Sequence, residues 1–269
     1  MEDGAMGRIR EKFRRMNLGG RKGLVVYITA GDPDLDSTGE IVLELDRRGV
    51  DLVELGVPFS DPVADGPTIQ RASERALRNG VRLEDVLGLV GELRKRSELP
   101  ILLFSYLNPV LNFGLERFVR RASEEGVDGA LVLDLPPEEA GSYVGTMWKH
   151  GLDTVFLAAP TSTEERIKKI ASLSTGFVYC VSRTGVTGER DRLSPEVKAT
   201  VEKVRRHSEL PVAVGFGISK PEHVREVAEY ADAVVVGSAL VRRIEELAGG
   251  PGWIRQVGSF VGELMRTLR

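Results

Sequence analysis

Short apolar runs rich in β-branched residues recur along the chain: Leu24–Thr29, Asp51–Leu55, Ile101–Ser105, Ala130–Leu133, Thr154–Leu157, Phe177–Val181, Val212–Val214 and Ala233–Val236. Runs of this length with little polar alternation are what strands covered on both faces produce. Amphipathic stretches lie between them. In Glu84–Arg96, for example, Val86, Leu87, Val90 and Leu93 fall on one helical stripe, and the remainder of the helix is expected to face solvent. Punctuation agrees with this alternation. Ser194 before Pro195 reads as an N-cap and first helical residue, and Asn79-Gly80, Gly126 and Gly151 stand where helices should stop.

Eight such strands alternating with helices in 269 residues predict an α/β fold, a parallel (β/α)8 or TIM barrel. A doubly wound open sheet of five or six strands would leave two unplaced. The segment Met6–Met16 precedes the first strand and is expected as an extra N-terminal helix capping the barrel floor. No Pro- or Gly-rich linker and no repeat beyond the βα unit interrupts the pattern, so a single TIM-barrel domain over 1–269 is expected. In such barrels chemistry sits at the C-terminal ends of the strands.

Composition narrows the partners. Thirty-seven Lys and Arg against 40 Asp and Glu leave a net charge of −3, which gives no reason to expect nucleic acid or an anionic membrane. The single cysteine, Cys180, excludes an intrachain disulfide and any cysteine-rich zinc cluster. The opening residues lack the apolar region of a signal peptide, and the longest apolar runs fall far short of the ~20 residues a membrane span needs. A soluble, cytoplasmic chain is expected.

Two carboxylates stand out. Glu54 lies among apolar strand residues, where burial would raise its pKa toward that of a useful general acid or base; Asp65 follows eleven residues later in Ala-Asp-Gly-Pro. From the residues alone, Glu54 is also readable as half of a buried ion pair, and Asp61 and Asp65 as turn formers. Glycine-rich segments follow three successive predicted strands: Ser182–Gly188, Gly215–Ser219 and Gly237–Ala239. Together they suggest a phosphate site, although any one glycine could simply permit a tight turn. His150, His207 and His223 form no ligand-spaced cluster, so no metal is expected. Cys180 reads as a packing residue, Trp148 and Trp253 as core or interface anchors, and the clusters Arg8–Arg15 and Arg94–Arg96 as solvated helix faces.

The segments YITAGDPD (27–34), VELGVPFSDPVADGPTIQ (53–70), DLPPEE (134–139), VSRTGVTG (181–188), VGFGIS (214–219) and VGSALV (236–241) together resemble the tryptophan synthase alpha chain family, and the resemblance covers nearly the whole chain. The second segment is the most specific, since other phosphate-binding barrels share the glycine turns but not this run. Membership implies a lyase of tryptophan biosynthesis that cleaves indole-3-glycerol phosphate, by a reversible retro-aldol reaction, into indole and glyceraldehyde 3-phosphate. It implies Glu54 as the proton-transfer residue and Asp65 as the group stabilising charge at the ring nitrogen. Thr187 would close a loop over the site by bonding Asp65. Gly188, Gly217, Gly237 and Ser238 would contact the phosphate, and Tyr27, Phe104, Tyr106, Leu133 and Tyr179 would surround the indole. Thr29 would support Asp65 or its loop.

The resemblance implies no cofactor in this chain. It also implies a beta chain partner in an α2β2 heterotetramer, that partner holding pyridoxal phosphate and receiving indole through a tunnel. The contact surface would include Pro58–Pro62, Asn108-Pro109 and Asp134–Pro137. The charged stretch Glu189–Arg192 departs from the family pattern and bears on loop closure. Alternatives of the same fold are a free-standing indole-3-glycerol phosphate lyase, a non-catalytic allosteric barrel subunit, and another phosphate-binding barrel of the same pathway.

Overall fold

In a computed structural model of the chain, residues 7–181, 196–215 and 217–268 are described. The strands among them are β1 (Gly23–Thr29), β2 (Leu52–Gly56), β3 (Ile101–Ser105), β4 (Gly129–Val132), β5 (Asp153–Thr154), β6 (Leu157–Ala158), β7 (Val178–Val181), β8 (Val212–Gly215) and β9 (Ala233–Val236). All the pairings are parallel, in the order β5-β4-β3-β2-β1-β9-β8-β7-β6. The strand expected at Thr154–Leu157 is thus divided in two. Its hydrogen bonds change partner partway along: Val155 N–H donates to Ala130 of β4 at 3.3 Å, whereas the Phe156 carbonyl accepts from Tyr179 of β7 at 3.2 Å. The two ends of the sheet meet at this divided strand, which holds one strand position of an eight-position barrel.

Strand alternation sorts the barrel's side chains into two layers. Leu24, Val26, Ile28, Val53, Leu55, Leu103, Cys180, Val214 and Val236 face outward into the main core with the helices. Val25, Tyr27, Leu52, Leu102, Phe104, Leu131, Tyr179, Ala213 and Val235 face inward. Arg8–Leu18 is helical and presents Ile9, Phe13 and Met16 to this inner cluster, with the Phe13 and Phe177 rings 5.5 Å apart. It therefore plugs the floor, two residues further along the chain than expected. The helix stops at Gly80, Gly126 and Gly151 are present, each with φ between 72° and 77°. Ser194 and Pro195 lie outside the described residues.

The reading of Arg94 as part of a solvated face is overturned. Its guanidinium is 10% exposed and donates to Asp128 at 2.6 Å and to the carbonyls of Gly126 and Leu99 at 2.7 Å. Asp128 in turn accepts from Ile101 N–H at 2.7 Å, pinning the start of β3, and from Arg8 of the floor helix at 3.1 Å. Asp51 does the same for Leu24 of β1 with Arg21, and Asp232 for Val212 of β8 with Arg205. These carboxylates lie at the N-terminal rim, where they secure strand starts, and each has a cation. Asp128→Ala should therefore strand a buried guanidinium and lower stability by about 3 kcal/mol or more, seen as a lower urea midpoint; a change within ~0.5 kcal/mol would show that the pair is not holding the floor.

Candidate active site

Glu54 lies between Val53 and Leu55, which both face outward, so alternation turns its side chain into the barrel, in register with Tyr27 of β1 and Leu102 of β3. The residue is 1% exposed, and its Oε1 has no hydrogen-bond partner among the described residues. No cation among them pairs with it, so among the described residues nothing supports the ion-pair reading. Burial alone pushes the carboxyl up to about 8, leaving it largely protonated at neutral pH.

Asp65 sits on the loop between β2 and the helix Pro67–Arg78, and its environment differs. Its N–H donates to Pro62 O at 3.0 Å, and Gln70 Nε2 holds its carbonyl at 2.8 Å. Tyr106 Oη donates to Oδ2 at 3.1 Å while accepting from Ala64 N–H at 3.0 Å, so one hydroxyl fixes both loop and carboxylate. Burial raises the Asp65 pKa, the Tyr106 bond opposes it, and the result is about 6. At neutral pH one carboxyl is thus mostly protonated and the other mostly ionised.

Glu54 and Asp65 line one pocket at the C-terminal end of the barrel together with Tyr27, Phe104 and Tyr179. The Tyr27 and Phe104 rings meet edge to face at 5.0 Å. Tyr27 lies across Gly56 and Tyr179 across Gly215 so closely that a Cβ on either glycine would overlap the tyrosine hydroxyl. The Tyr27 hydroxyl finds Thr29 Oγ1 at 3.3 Å, so Thr29 supports the aromatic wall rather than Asp65.

Part of the lining is backbone. Gly217, at φ 84°, and Gly237 and Ser238, at the start of helix Ser238–Leu247, line the same pocket. Among the described residues that helix has no side-chain cap, and its first turn holds no acidic residue, an arrangement that suits an anion at its N–H groups. Ile69, Ile218 and Val235 also line the pocket. Sequence reading did not single them out, although Ala233, Val235 and Gly237 share one face by alternation and Ile69 shares a helical stripe with Ala72 and Ala76. Leu133 packs against the inner cluster but lines a neighbouring depression with Asp134 and Pro136. Thr187 and Gly188 lie outside the described residues. Among the described residues, no group of three or more His, Cys, Asp or Glu could hold a metal ion, and no helix is long and apolar enough to cross a membrane.

Comparison with known proteins gives one consistent result. A family profile described as tryptophan synthase alpha chain matches residues 13–263. The tryptophan synthase alpha chain of Solibacter usitatus (strain Ellin6076) is 56% identical over 261 residues, covering 97% of each chain. A solved structure from Aquifex aeolicus VF5 is 46% identical with a TM-score of 0.90, covering 98% of this chain and 100% of that one. One of Mycobacterium tuberculosis tryptophan synthase is 37% identical with a TM-score of 0.89, covering 98% of both.

The raised pKa of Glu54 has a sign that stability measurements can read. A carboxyl lifted from 4.5 to about 8 favours the folded state least when ionised: its contribution is fully present below pH 4.5 and is lost as pH rises toward 8. Glu54→Gln removes this dependence, so its stability relative to the unaltered chain should grow by about 3 kcal/mol between pH 4.5 and 7 in urea titrations. A margin that stays flat with pH would mean that the carboxylate has found a countercharge.

Proposed function

The chain belongs to the tryptophan synthase alpha chain family, and from that premise we propose that its pocket cleaves indole-3-glycerol phosphate by a reversible retro-aldol reaction, a carbon–carbon lyase step yielding indole and glyceraldehyde 3-phosphate. The observation that carries this reading is the pair of carboxyls with opposite protonation preference, Glu54 at about 8 and Asp65 at about 6, in one pocket with an uncapped helix N-terminus.

The bond between indole C3 and the glycerol carbon breaks only after C3 is protonated, which places positive charge on the ring nitrogen. Glu54, neutral and buried, donates that proton; its carboxylate then takes the proton of the glycerol hydroxyl as the carbonyl forms and the bonding pair returns to the ring. Asp65, ionised, stabilises the transient cation. Tyr27, Phe104 and Tyr179 supply the apolar walls for the indole, with Tyr106 beside Asp65 and Leu133 at the margin. Gly217, Gly237 and Ser238 offer backbone N–H groups to the phosphate, with Gly188 joining them. Thr187 bonds Asp65 on loop closure and excludes water. None of these tasks requires a cofactor in this chain.

The proposed partner is a beta chain in an α2β2 assembly, which holds pyridoxal phosphate and consumes the indole. Supporting this, Val63 and Leu111 are 77% and 58% exposed beside Pro58–Pro62 and Asn108-Pro109, on the face where the pocket opens. Cytoplasmic location accords with a biosynthetic role of this kind.

The direct test is indole release from indole-3-glycerol phosphate by the purified chain, with and without a beta chain. Release should rise with the partner, and Glu54→Gln should lower turnover by ~10² or more while leaving ligand binding largely intact. Activity indifferent to a beta chain would identify a free-standing lyase, and turnover of Glu54→Gln within a few-fold would remove Glu54 from the chemistry. The pH profile of kcat/KM should be bell-shaped, rising near 6 as Asp65 ionises and falling near 8 as Glu54 loses its proton. Tyr106→Phe deletes a bond that lowers the Asp65 pKa, so its acid limb should move above 6.

A further inference from the structure

The helix that follows Asp65 and the helix whose N-terminus faces the pocket are tied together two turns behind it. Arg75, on Pro67–Arg78, donates through Nε and Nη2 to both oxygens of Asp32, at 2.7 and 2.9 Å, and through Nη1 to Glu245 of helix Ser238–Leu247, at 2.7 Å. Arg71, one turn earlier on the same face, grips the two Glu245 oxygens at 3.0 and 2.8 Å. Asp32 is 3% exposed and lies on the loop that leaves β1. Asn79 adds a bond to the carbonyl of Pro33 on that loop.

Three elements that reach the pocket thus share one ionic knot: β1 carries Tyr27, helix Pro67–Arg78 carries Ile69 and follows Asp65, and helix Ser238–Leu247 begins at the pocket. Between the knot and the pocket the two helices meet through Ile69, Ala72 and Val241 of the inner cluster. Bidentate guanidinium–carboxylate pairs fix orientation as well as distance. The two arginines hold the Glu245 carboxyl down to about 2, so Glu245 stays ionised near neutral pH.

We propose that Arg75 is a positioning residue that, through Asp32 and Glu245, sets the separation between the carboxylate end and the anion-binding end of the pocket. The inference rests on the function proposed above and deepens it. A substrate held at both ends reacts well only if the two anchors keep the spacing its transition state needs, and misplacement by ~1 Å can cost ~10² in rate. Each anchor taken alone is indifferent to that spacing.

The test therefore compares fragments with a linked ligand. For the unaltered chain and for Arg75→Gln, Arg75→Lys and Glu245→Gln, dissociation constants are measured for indole, for glycerol 3-phosphate and for indolepropanol phosphate, which joins both ends without a cleavable bond, alongside kcat and KM for indole-3-glycerol phosphate. Fragment binding should change by less than ~2-fold, whereas the linked ligand weakens and kcat/KM falls by ~10-fold or more. Arg75→Lys should rescue little, since an ammonium cannot hold both Asp32 oxygens and Glu245 at once. Glu245→Gln, only partly buried, keeps the Asp32 pair and guards against a variant that merely fails to fold. Equal losses for fragments and linked ligand, or no loss for either, would overturn the proposal. If the unaltered chain bound neither fragment and released no indole, the functional reading itself would fall, a result separable from normal catalysis by the knot variants.

Discussion

A carboxyl group buried in a barrel interior, with no cation paired to it among the described residues, keeps its proton well above the usual carboxylate range. The site depends on this desolvation of Glu54. Alternation along β2 dictates that the side chain points inward, and the floor helix seals the interior below it with Ile9, Phe13 and Met16. Asp65 is somewhat less buried and has Tyr106 as a donor, which Glu54 Oε1 lacks, and two carboxyls of similar intrinsic acidity separate into one proton carrier and one anion.

The two rims of the barrel treat acidic residues in opposite ways. At the N-terminal rim Asp51, Asp128 and Asp232 each accept a strand N–H and pair with a cation, so their charge is used to fix strand starts. At the C-terminal rim Glu54 and Asp65 have no ion pair among the described residues, and burial, opposed at Asp65 by the Tyr106 bond, is the source of their shifted acidity. Stability and chemistry are thus assigned to different ends of the same strands.

Much of this was legible in the sequence because it rests on period and chemical type. A glutamate within an apolar strand marks itself, and eight strands alternating with helices favour a barrel over a doubly wound sheet. Arg94 was not legible, since a cation near the end of an amphipathic helix looks solvated until the fold brings Asp128 and two carbonyls around it. The divided strand at 153–158 was hidden because hydropathy cannot register a change of hydrogen-bonding partner. Ile69 escaped because a lone apolar helix residue carries no chemical signature, and Leu133 packs beside the pocket residues without lining their cavity.

The tyrosines laid over Gly56 and Gly215 have a consequence for how such a chain can diverge. At each place the glycine is the footprint of the ring on the neighbouring strand, so the two positions form one unit of inheritance. A methyl group arriving first at either glycine meets a filled space, whereas the same change becomes admissible once the tyrosine has given way to a smaller residue. The order of substitutions, and not merely their sum, decides which descendants keep the pocket.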